Sequence, residues 1–467
     1  MLTGCLALSL YSLISFAPQI GFPLALTYVC GMGAIRRYII PYLGYASYDP
    51  FLLVLPLVVV LLFFPRLARR EIPYDTIISK LIFVLLIIMF LEVFNPLQGG
   101  LMIGITGGMF YIVPLLWYYA ARFMGSRKIL GSILNLVVFI AVAAAAYGLY
   151  QQFFGFTAVE QRWLEITRND VGQYLSDQTI RVFSTFSAFA EYVHFLWIAA
   201  IVCFALMLRK NRLMAIPMVF LIVAIFLSSS RGGVLQMLAG FVLMWAVQGK
   251  TRQSWAPRLV IAAVAGVVAL TTGLQGLRTD NLDTTAQELL EHQKQGLLSP
   301  LDKKSSTGSG HLALVWNGIV TGFRNPLGHG LGSTTLAAHK IGTSWTRSAE
   351  NLGTEGDVSD LFVSLGFVGG GCFLFLFGYS VWYASDVWHR YRDPVYLAAL
   401  GILASSFGAW LIGARYATTF LVWIVLGMLD RVAVMEHQQK AEQARQATTE
   451  KQGRNSTSRN RFPPARK

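Results

Sequence analysis

The chain has 467 residues, of which 55% are apolar and only 13% charged, and its mean hydropathy is +0.53. This balance excludes an ordinary soluble globular protein. The formal net charge of +14 would suggest a nucleic-acid partner in a soluble chain. Here the cations lie in short loops between apolar segments, as in membrane proteins, so we predict no nucleic-acid partner.

Apolar runs long enough to cross about 30 Å of hydrocarbon recur along the chain. Backbone groups in lipid need internal hydrogen bonds, so each run is predicted to be a helix. The predicted fold is an all-α, polytopic transmembrane bundle of about twelve helices with a large, partly helical outward loop. The first segment contains Pro18 and Pro23, which predict either a kinked helix or a pair of helices. The segments lie near 3–34, 48–64, 77–95, 101–121, 129–150, 189–208, 212–228, 233–248, 258–276, 361–383, 395–411 and 417–433.

The short basic loops predict the orientation. With the helices placed as above, most of these loops fall on one face, which should be cytoplasmic together with both termini. Arg36 and Arg37 fall on the opposite face, which marks the first segment as unusual. The cations that define the basic face are Arg66, Arg69, Arg70, Arg122, Arg127, Lys128, Arg209, Lys210, Arg212, Lys250, Arg252, Arg258, Arg390 and Arg392.

The chain divides into four predicted regions. Residues 1–276 hold the N-terminal transmembrane helices, 277–360 a large extracytoplasmic loop, 361–433 the C-terminal transmembrane helices and 434–467 a disordered basic cytoplasmic tail. All cysteines lie in apolar segments without metal-ligand spacing, which predicts buried thiols and no metal site. They are Cys5, Cys30, Cys203 and Cys372.

A first candidate motif runs from Asp177 to Ser187 and leads into a helix that carries Glu191 and His194. Arg181 lies at the outward membrane edge, where a guanidinium either snorkels or binds an anion. Glu191 and His194 are three residues apart and share a helix face. Ionisable groups in a membrane helix should face the bundle interior, either as a structural hydrogen-bonded pair or as part of a site.

A second motif is the Ser228-Ser-Ser-Arg-Gly-Gly233 turn between two apolar helices. The glycines are explained by a tight turn. Arg231 is not, because serine or asparagine would turn the chain as well. A guanidinium matches phosphate oxygens, so a second arginine at the outward edge indicates an anion site. Arg415, in the short turn Gly413–Tyr416, is a further candidate.

The long loop is the third candidate. Residues 308–319 predict a helix with an apolar face that carries His311 near its start. The Gly-rich turn Asn325–Gly332, which contains His329, could form a nest of N–H groups around a phosphate. Asp357 and Asp360 precede an apolar helix, where capping is the simpler explanation. Glu355 lies just before that turn and is the better candidate for a base.

Taken together, these stretches resemble the O-antigen ligase and polymerase superfamily of bacterial membrane glycosyltransferases. An Arg-Val-Phe-Ser-Thr-Phe element enters a helix, a Ser-Arg-Gly turn joins two helices, and a large outward loop carries Ser-Gly-His, Trp and Asn-Pro-Leu-Gly-x-Gly-Leu-Gly. An acidic stretch then leads into a Leu-Gly-x-x-Gly helix. Many members carry a His-Asn or Glu-Asn pair before the last motif, whereas this chain has Glu355-Gly356. Ligase-type members often carry histidine at the position of Glu355, and an acidic residue is common there in polymerase-type members. The glutamate therefore favours the polymerase type.

The resemblance implies transfer of a glycan from a polyprenyl diphosphate carrier to an acceptor hydroxyl on the outward face of the cell membrane. Arg181 and Arg231 would stabilise the leaving diphosphate, and Glu355, with His311 as its rival, would act as the general base. No metal or cofactor is expected. The implied partners are the carrier-linked glycan donor, a glycan or lipid acceptor, the bilayer and other membrane proteins of polysaccharide assembly.

Two other classes stay open. Some members of the superfamily have been interpreted as bicarbonate transporters, and in a transporter the arginines would line an anion or glycan pathway. A transporter would not need an outward loop of this length with its own acids and glycines. A structural subunit without chemistry is the third class.

The loop 277–360 and the tail after Arg431 are predicted to lie on opposite sides of the membrane, because the short basic loops are one-sided. Reporter fusions at Gln295 and Gln452 measure this directly. The Gln295 fusion should report the extracytoplasmic side and the Gln452 fusion the cytoplasm. A cytoplasmic signal at Gln295 would overturn the topology.

Overall fold

The computed structural model describes residues 2–43, 50–167, 180–209, 211–249, 255–276, 284–298, 308–335, 354, 356–411, 416–432, 434–435 and 438. Over these ranges the chain forms sixteen α-helices, which confirms the all-α fold. They are α1 Leu2–Phe16, α2 Pro18–Leu43, α3 Val54–Ala68, α4 Ile77–Glu92, α5 Leu101–Met124, α6 Arg127–Phe154, α7 Ala158–Thr167, α8 Phe189–Met207, α9 Ala215–Leu227, α10 Arg231–Ala246, α11 Trp255–Gly276, α12 Thr284–Leu298, α13 Gly308–Arg324, α14 Gly356–Tyr391, α15 Pro394–Ser405 and α16 416–432.

Seven helices within the described ranges are long and apolar enough to cross a membrane. They are Pro18–Ile39, Pro50–Ala68, Leu101–Met124, Arg127–Phe154, Phe189–Met207, Trp255–Gly276 and Gly356–Tyr391. Shorter apolar helices lie between them. Only 6% of the span in α11 is buried, so almost its whole surface is available to lipid. The chain is a multi-pass membrane protein.

The N-terminal apolar segment forms two helices, which settles one of the two predicted alternatives. α1 ends at Phe16, and Pro18 opens α2 at a position where its missing N–H would have had no partner. The chain bends sharply at Ala17: a Cβ on Gly21 would lie 2.5 Å from the backbone nitrogen of Ile14. The two helices therefore pack against each other.

α8 forms the centre of the bundle. Every residue from Glu191 to Cys203 is buried, as expected of a helix that is apolar on all sides. It packs against α6, α9, α10 and α15. The ionisable residues near its N-terminus, Glu191 and His194, therefore lie inside protein rather than facing lipid.

The four cysteines are free thiols. Cys30 and Cys203 are buried as predicted, and Cys372 is half-buried. The prediction is wrong for Cys5, which is exposed on α1, because the face of α1 that carries it packs against no other helix.

Ion pairs join several of the short basic loops at one end of the bundle, which we call the basic end. Arg122, at the end of α5, pairs with Asp75 at 2.5 Å and with the buried Asp430 of α16 at 2.7 Å. Arg127 of α6 pairs with Asp393, the residue before α15, at 2.5 Å. The clustering predicted from the sequence is thus present as physical contacts between loops.

The opposite end, which we call the loop end, receives α7, α12, α13 and the segment 180–188. Arg36 and Arg37 also lie there, since both contact residues 183–187. This agrees with the expectation that these two cations fall on the face opposite the basic loops.

α13 confirms the helix predicted over 308–319. Gly318 and Gly322 lie on its buried side, so close to Ser359 and Phe362 of α14 that a Cβ at either position would overlap them. Phe323 also packs on α14, with its ring centroid 4.7 Å from that of Phe367. Leu312 and Trp316, in contrast, are each more than half exposed.

α14 is broken at Gly366, whose φ of 67° lies in the left-handed region. The Gly-rich turn after α13 docks into this break. The N–H groups of His329 and Gly330 donate to the carbonyl oxygens of Val363 and Ser364, at 2.9 and 3.1 Å. A Cβ on Gly366 would overlap the carbonyl of Pro326, so only glycine fits the joint.

Gly366→Ala should lower the stability of the folded protein by at least about 2 kcal/mol, since it adds left-handed backbone strain to the steric overlap with Pro326. Gly371→Ala is the matched control, because a Cβ there meets open space and alanine favours helix. Thermal unfolding in detergent compares the two variants. Equal unfolding temperatures would mean that the joint at Gly366 does not hold the fold.

Candidate functional site

Two arginines predicted to bind an anion lie close together at the loop end. Arg181 precedes α8, and its guanidinium carbon lies 4.8 Å from the ring centroid of Phe189. Its Nε is buried and has no hydrogen-bond partner among the described residues. Burial, and to a smaller extent the charge of Arg231, lower the pKa of the Arg181 guanidinium. The two cations are therefore near enough for the charge of Arg231 to act on Arg181.

The turn before α10 places Arg231. Ser230 caps the helix by accepting a hydrogen bond from the N–H of Gly233 at 3.3 Å, and Ser229 adopts a left-handed φ of 57°. Arg231 is the first residue of α10, where the helix dipole disfavours a cation. The same dipole attracts an anion, so the helix end and both guanidinium groups favour the same ligand charge.

The segment 183–187, which leads from Arg181 into α8, has irregular backbone inside the protein. Arg37, only 1% exposed, donates to the carbonyl oxygen of Phe186 at 2.6 Å and to that of Ser184. Gln151 accepts from the N–H of Ser184 at 2.8 Å. These side chains supply hydrogen-bond partners for backbone groups that lie outside any helix. They thereby fix the direction in which Arg181 enters the site.

Sequence reasoning missed this supporting set. Gln151 is in turn held by Glu160 of α7, at 2.6 Å, and Arg36 donates to Ser187 Oγ at 3.2 Å. The available signal was the placement of Arg36 and Arg37 against the positive-inside rule. Two cations on the face opposite the basic loops indicate that a partner lies there. For Arg37 that partner is the backbone of residues 184 and 186, which belong to the Asp177–Ser187 motif.

Glu191 and His194 occupy the same end of α8 but have separate contacts. The carboxylate of Glu191 accepts from the N–H of Ala417 at 2.8 Å and from that of Ser187 at 3.3 Å. It thereby joins the starts of α8 and α16. His194 Nδ1 lies 2.5 Å from the carbonyl oxygen of Ala190. These contacts favour a structural role for Glu191, because its oxygens are used by backbone.

The acids at the start of α14 are buried as well. Asp357 accepts from the N–H groups of Trp410 and Leu411, the latter at 3.0 Å. It therefore caps backbone of another segment rather than only its own helix end. Asp360 is 7% exposed and acts electrostatically on the hydroxyl of Tyr111 in α5. Asp357 fixes residues 410–411, which lead directly toward Arg415.

The Gly-rich turn does not form the phosphate nest considered from the sequence. Its N–H groups at His329 and Gly330 are bonded within the joint at Gly366, that of Leu331 donates to the Glu92 carbonyl at 3.1 Å, and that of Gly332 donates to Gln98 Oε1 at 3.0 Å. Four consecutive donors are thus used by protein acceptors. His329 is part of this joint, since its Nδ1 also lies 3.2 Å from the carbonyl oxygen of Val363.

Three candidates from the sequence remain: His311, Glu355 and Arg415. His311 is exposed in the first turn of α13. Glu355 and Arg415 lie outside the described residues, so their predicted roles stay predictions. The part of the chain that the structure describes contains no group of three His, Cys, Asp or Glu side chains placed to hold a metal ion.

α12, the first helix of the long loop, lies over Arg231. It contacts α9, α10 and α11. Gly296 sits directly on Arg231, because a Cβ at Gly296 would overlap the guanidinium. The loop is therefore part of the site rather than a separate unit above it.

The described chain is a multi-pass membrane protein with two candidate anion-binding arginines at one end of its bundle. Residues 216–374 match the family model described as O-Antigen ligase, a segment that runs from α9 to the middle of α14. The match confirms the predicted resemblance to the O-antigen ligase superfamily over these residues. No curated protein matches the chain.

Proposed function

We propose that the protein is a membrane glycosyltransferase that polymerises or ligates polyprenyl-diphosphate-linked oligosaccharide units on the extracytoplasmic face of the inner membrane. A surface or exopolysaccharide polymerase is favoured over an O-antigen ligase, because Glu355 stands where ligase-type members often carry histidine. The observation that carries the proposal is the proximity of Arg181 and Arg231 at the loop end, within the bundle of an O-antigen ligase family member.

The reaction breaks the bond between the first sugar of the donor and its diphosphate, and it forms a bond from that sugar to an acceptor hydroxyl. Negative charge grows on the leaving diphosphate, where the two guanidinium groups stabilise it. A base takes the proton of the attacking hydroxyl. Arginine supplies the positive charge that a metal supplies in other transferases, so the proposed transfer needs neither a metal nor a cofactor.

The carrier's isoprenoid chain needs an apolar groove that is open to lipid. A groove between α2, α3, α5 and α16 has this character and ends beside Leu411 and Tyr416, which flank the segment of Arg415. Its walls are largely aliphatic and aromatic, and they include Tyr28, Met32, Leu55, Met109, Trp117 and Phe420. We propose this groove for the isoprenoid chain.

The proposal is tested by analysing surface glycan in a deletion strain. Loss of long chains with single capped units remaining indicates a polymerase, and loss of all attached glycan indicates a ligase. Carrier-linked glycan should accumulate in either case. Unchanged glycan with a lost flux of anion or glycan into vesicles would instead favour a transporter of the same superfamily.

Replacement of Arg231 should remove activity in the complemented strain. Arg231→Ala is expected to reduce transfer by about 10²–10³-fold, the typical effect of removing one donor to a developing negative charge. Arg231→Lys should recover little, because lysine keeps the charge and loses the planar fork. Protein abundance in the membrane is measured alongside. Near-normal activity of the alanine variant would exclude Arg231 from the site.

We expect Glu355 to act as the base. Glu355→Gln should reduce the rate by at least about 10²-fold, the usual range for general-base catalysis, while His311→Ala should retain most of it. Initial rates at equal membrane abundance compare the two variants. The opposite ranking would assign the base to His311.

A further inference from the structure

The long loop buries an amide that has no partner. Gln293 of α12 has 0% exposure, and neither its Nε2 nor its Oε1 makes a hydrogen bond within the described part of the protein. A buried amide left without hydrogen bonds destabilises the folded protein. Such groups are rare enough that each needs an explanation.

The amide lies on the face of α12 that meets Arg231. Gln293 and Gly296 are three residues apart and share one face of α12, and Gly296 is the residue that sits on the Arg231 guanidinium. Leu297, four residues after Gln293, is buried on the same side at 7% exposure. This face of α12 packs toward α9 and α10, so Gln293 closes the site from the loop side.

Its chemistry differs from that of the arginines. A phosphate oxygen only accepts hydrogen bonds, and guanidinium groups only donate them. A carboxamide presents one acceptor and two donors side by side, so a diphosphate would leave its oxygen unpaired. A sugar hydroxyl both donates and accepts, and adjacent hydroxyls of a pyranose satisfy both ends of an amide at once.

We infer that Gln293 binds hydroxyl groups of the sugar that is attached directly to the carrier diphosphate, and that it is a specificity-determining residue for that sugar. The inference rests on the proposed function, since the diphosphate held by Arg181 and Arg231 places this sugar beside α12. The ligand hydroxyls supply the partners that the protein does not. The arginines of the bundle then stabilise the charge of the diphosphate, and Gln293 of the loop recognises the sugar.

The test compares two ligands and two variants. Gln293→Met keeps the length of the side chain and removes both polar atoms; Gln293→Leu is a second replacement in case methionine packs poorly. Gln295→Leu is the matched control, since Gln295 is exposed on the same helix. Binding to the full-length protein in lipid nanodiscs is measured for polyprenyl diphosphate and for polyprenyl diphosphate carrying one oligosaccharide unit.

Both Gln293 variants should bind the sugar-bearing carrier about tenfold more weakly, which corresponds to the loss of roughly 1.4 kcal/mol, and should bind the sugar-free diphosphate as the wild type does. Their unfolding temperature should not fall, because an unpaired amide has been removed. The control should bind both ligands normally. Arg231→Ala should weaken both.

Three results would overturn the inference. Unchanged binding of the sugar-bearing carrier in both Gln293 variants would mean that water satisfies the amide, and the proposed function would survive. Equal weakening for both ligands would assign Gln293 to the diphosphate instead of the sugar. A wild-type protein that binds neither ligand would remove the proposed function together with the inference.

Discussion

Irregular backbone inside a membrane protein must find its hydrogen bonds within the protein, and this constraint shapes the site. The segment 183–187 is satisfied by Arg37, Gln151 and Glu191. The turn after α13 is satisfied by carbonyls released at the break in α14 and by Gln98. Asp357 supplies acceptors for residues 410–411.

Two of these joints lie next to a candidate arginine. The first leads from Arg181 into α8, and the third comes shortly before Arg415 in the sequence. The buried polar side chains of the loop end therefore hold non-helical backbone in place beside these candidates. Pre-organisation of this kind is what charge stabilisation during a reaction requires.

Burial and the charge of Arg231 both oppose the charge on Arg181, and the N-terminus of α10 opposes that on Arg231. Under the proposed function, the diphosphate of a lipid carrier brings the opposite charge to this end of the bundle.

The sequence predicted the features that depend on one-dimensional patterns. Hydropathy located the helices, and the one-sided cations located the basic end, where Arg122 and Asp430 now form a buried pair. Ser-Arg-Gly and Arg-Val-Phe-Ser identified both site arginines. These patterns succeed because lipid imposes length and charge rules on each segment separately.

Contacts between distant segments could not be predicted in this way. The partnership of Arg37 with residues 184–186 spans about 150 residues, and only its unexpected face gave a signal. The Gly-rich turn was ambiguous for a similar reason, because glycine permits both a phosphate nest and close backbone packing. The turn packs, because its N–H groups donate to the carbonyl oxygens that the break at Gly366 leaves available. Gln293 carries no local pattern at all, and its importance follows only from the position of α12 over Arg231.

The central claim is that the protein itself transfers glycan from a diphosphate carrier at the Arg181–Arg231 centre. The most direct measurement uses the purified protein in lipid nanodiscs with a labelled polyprenyl-diphosphate oligosaccharide and no other protein, and follows release of the free carrier diphosphate. We expect one carrier released for each new glycosidic bond, and no release when both arginines are replaced. Carrier release that persists without the two arginines would contradict it.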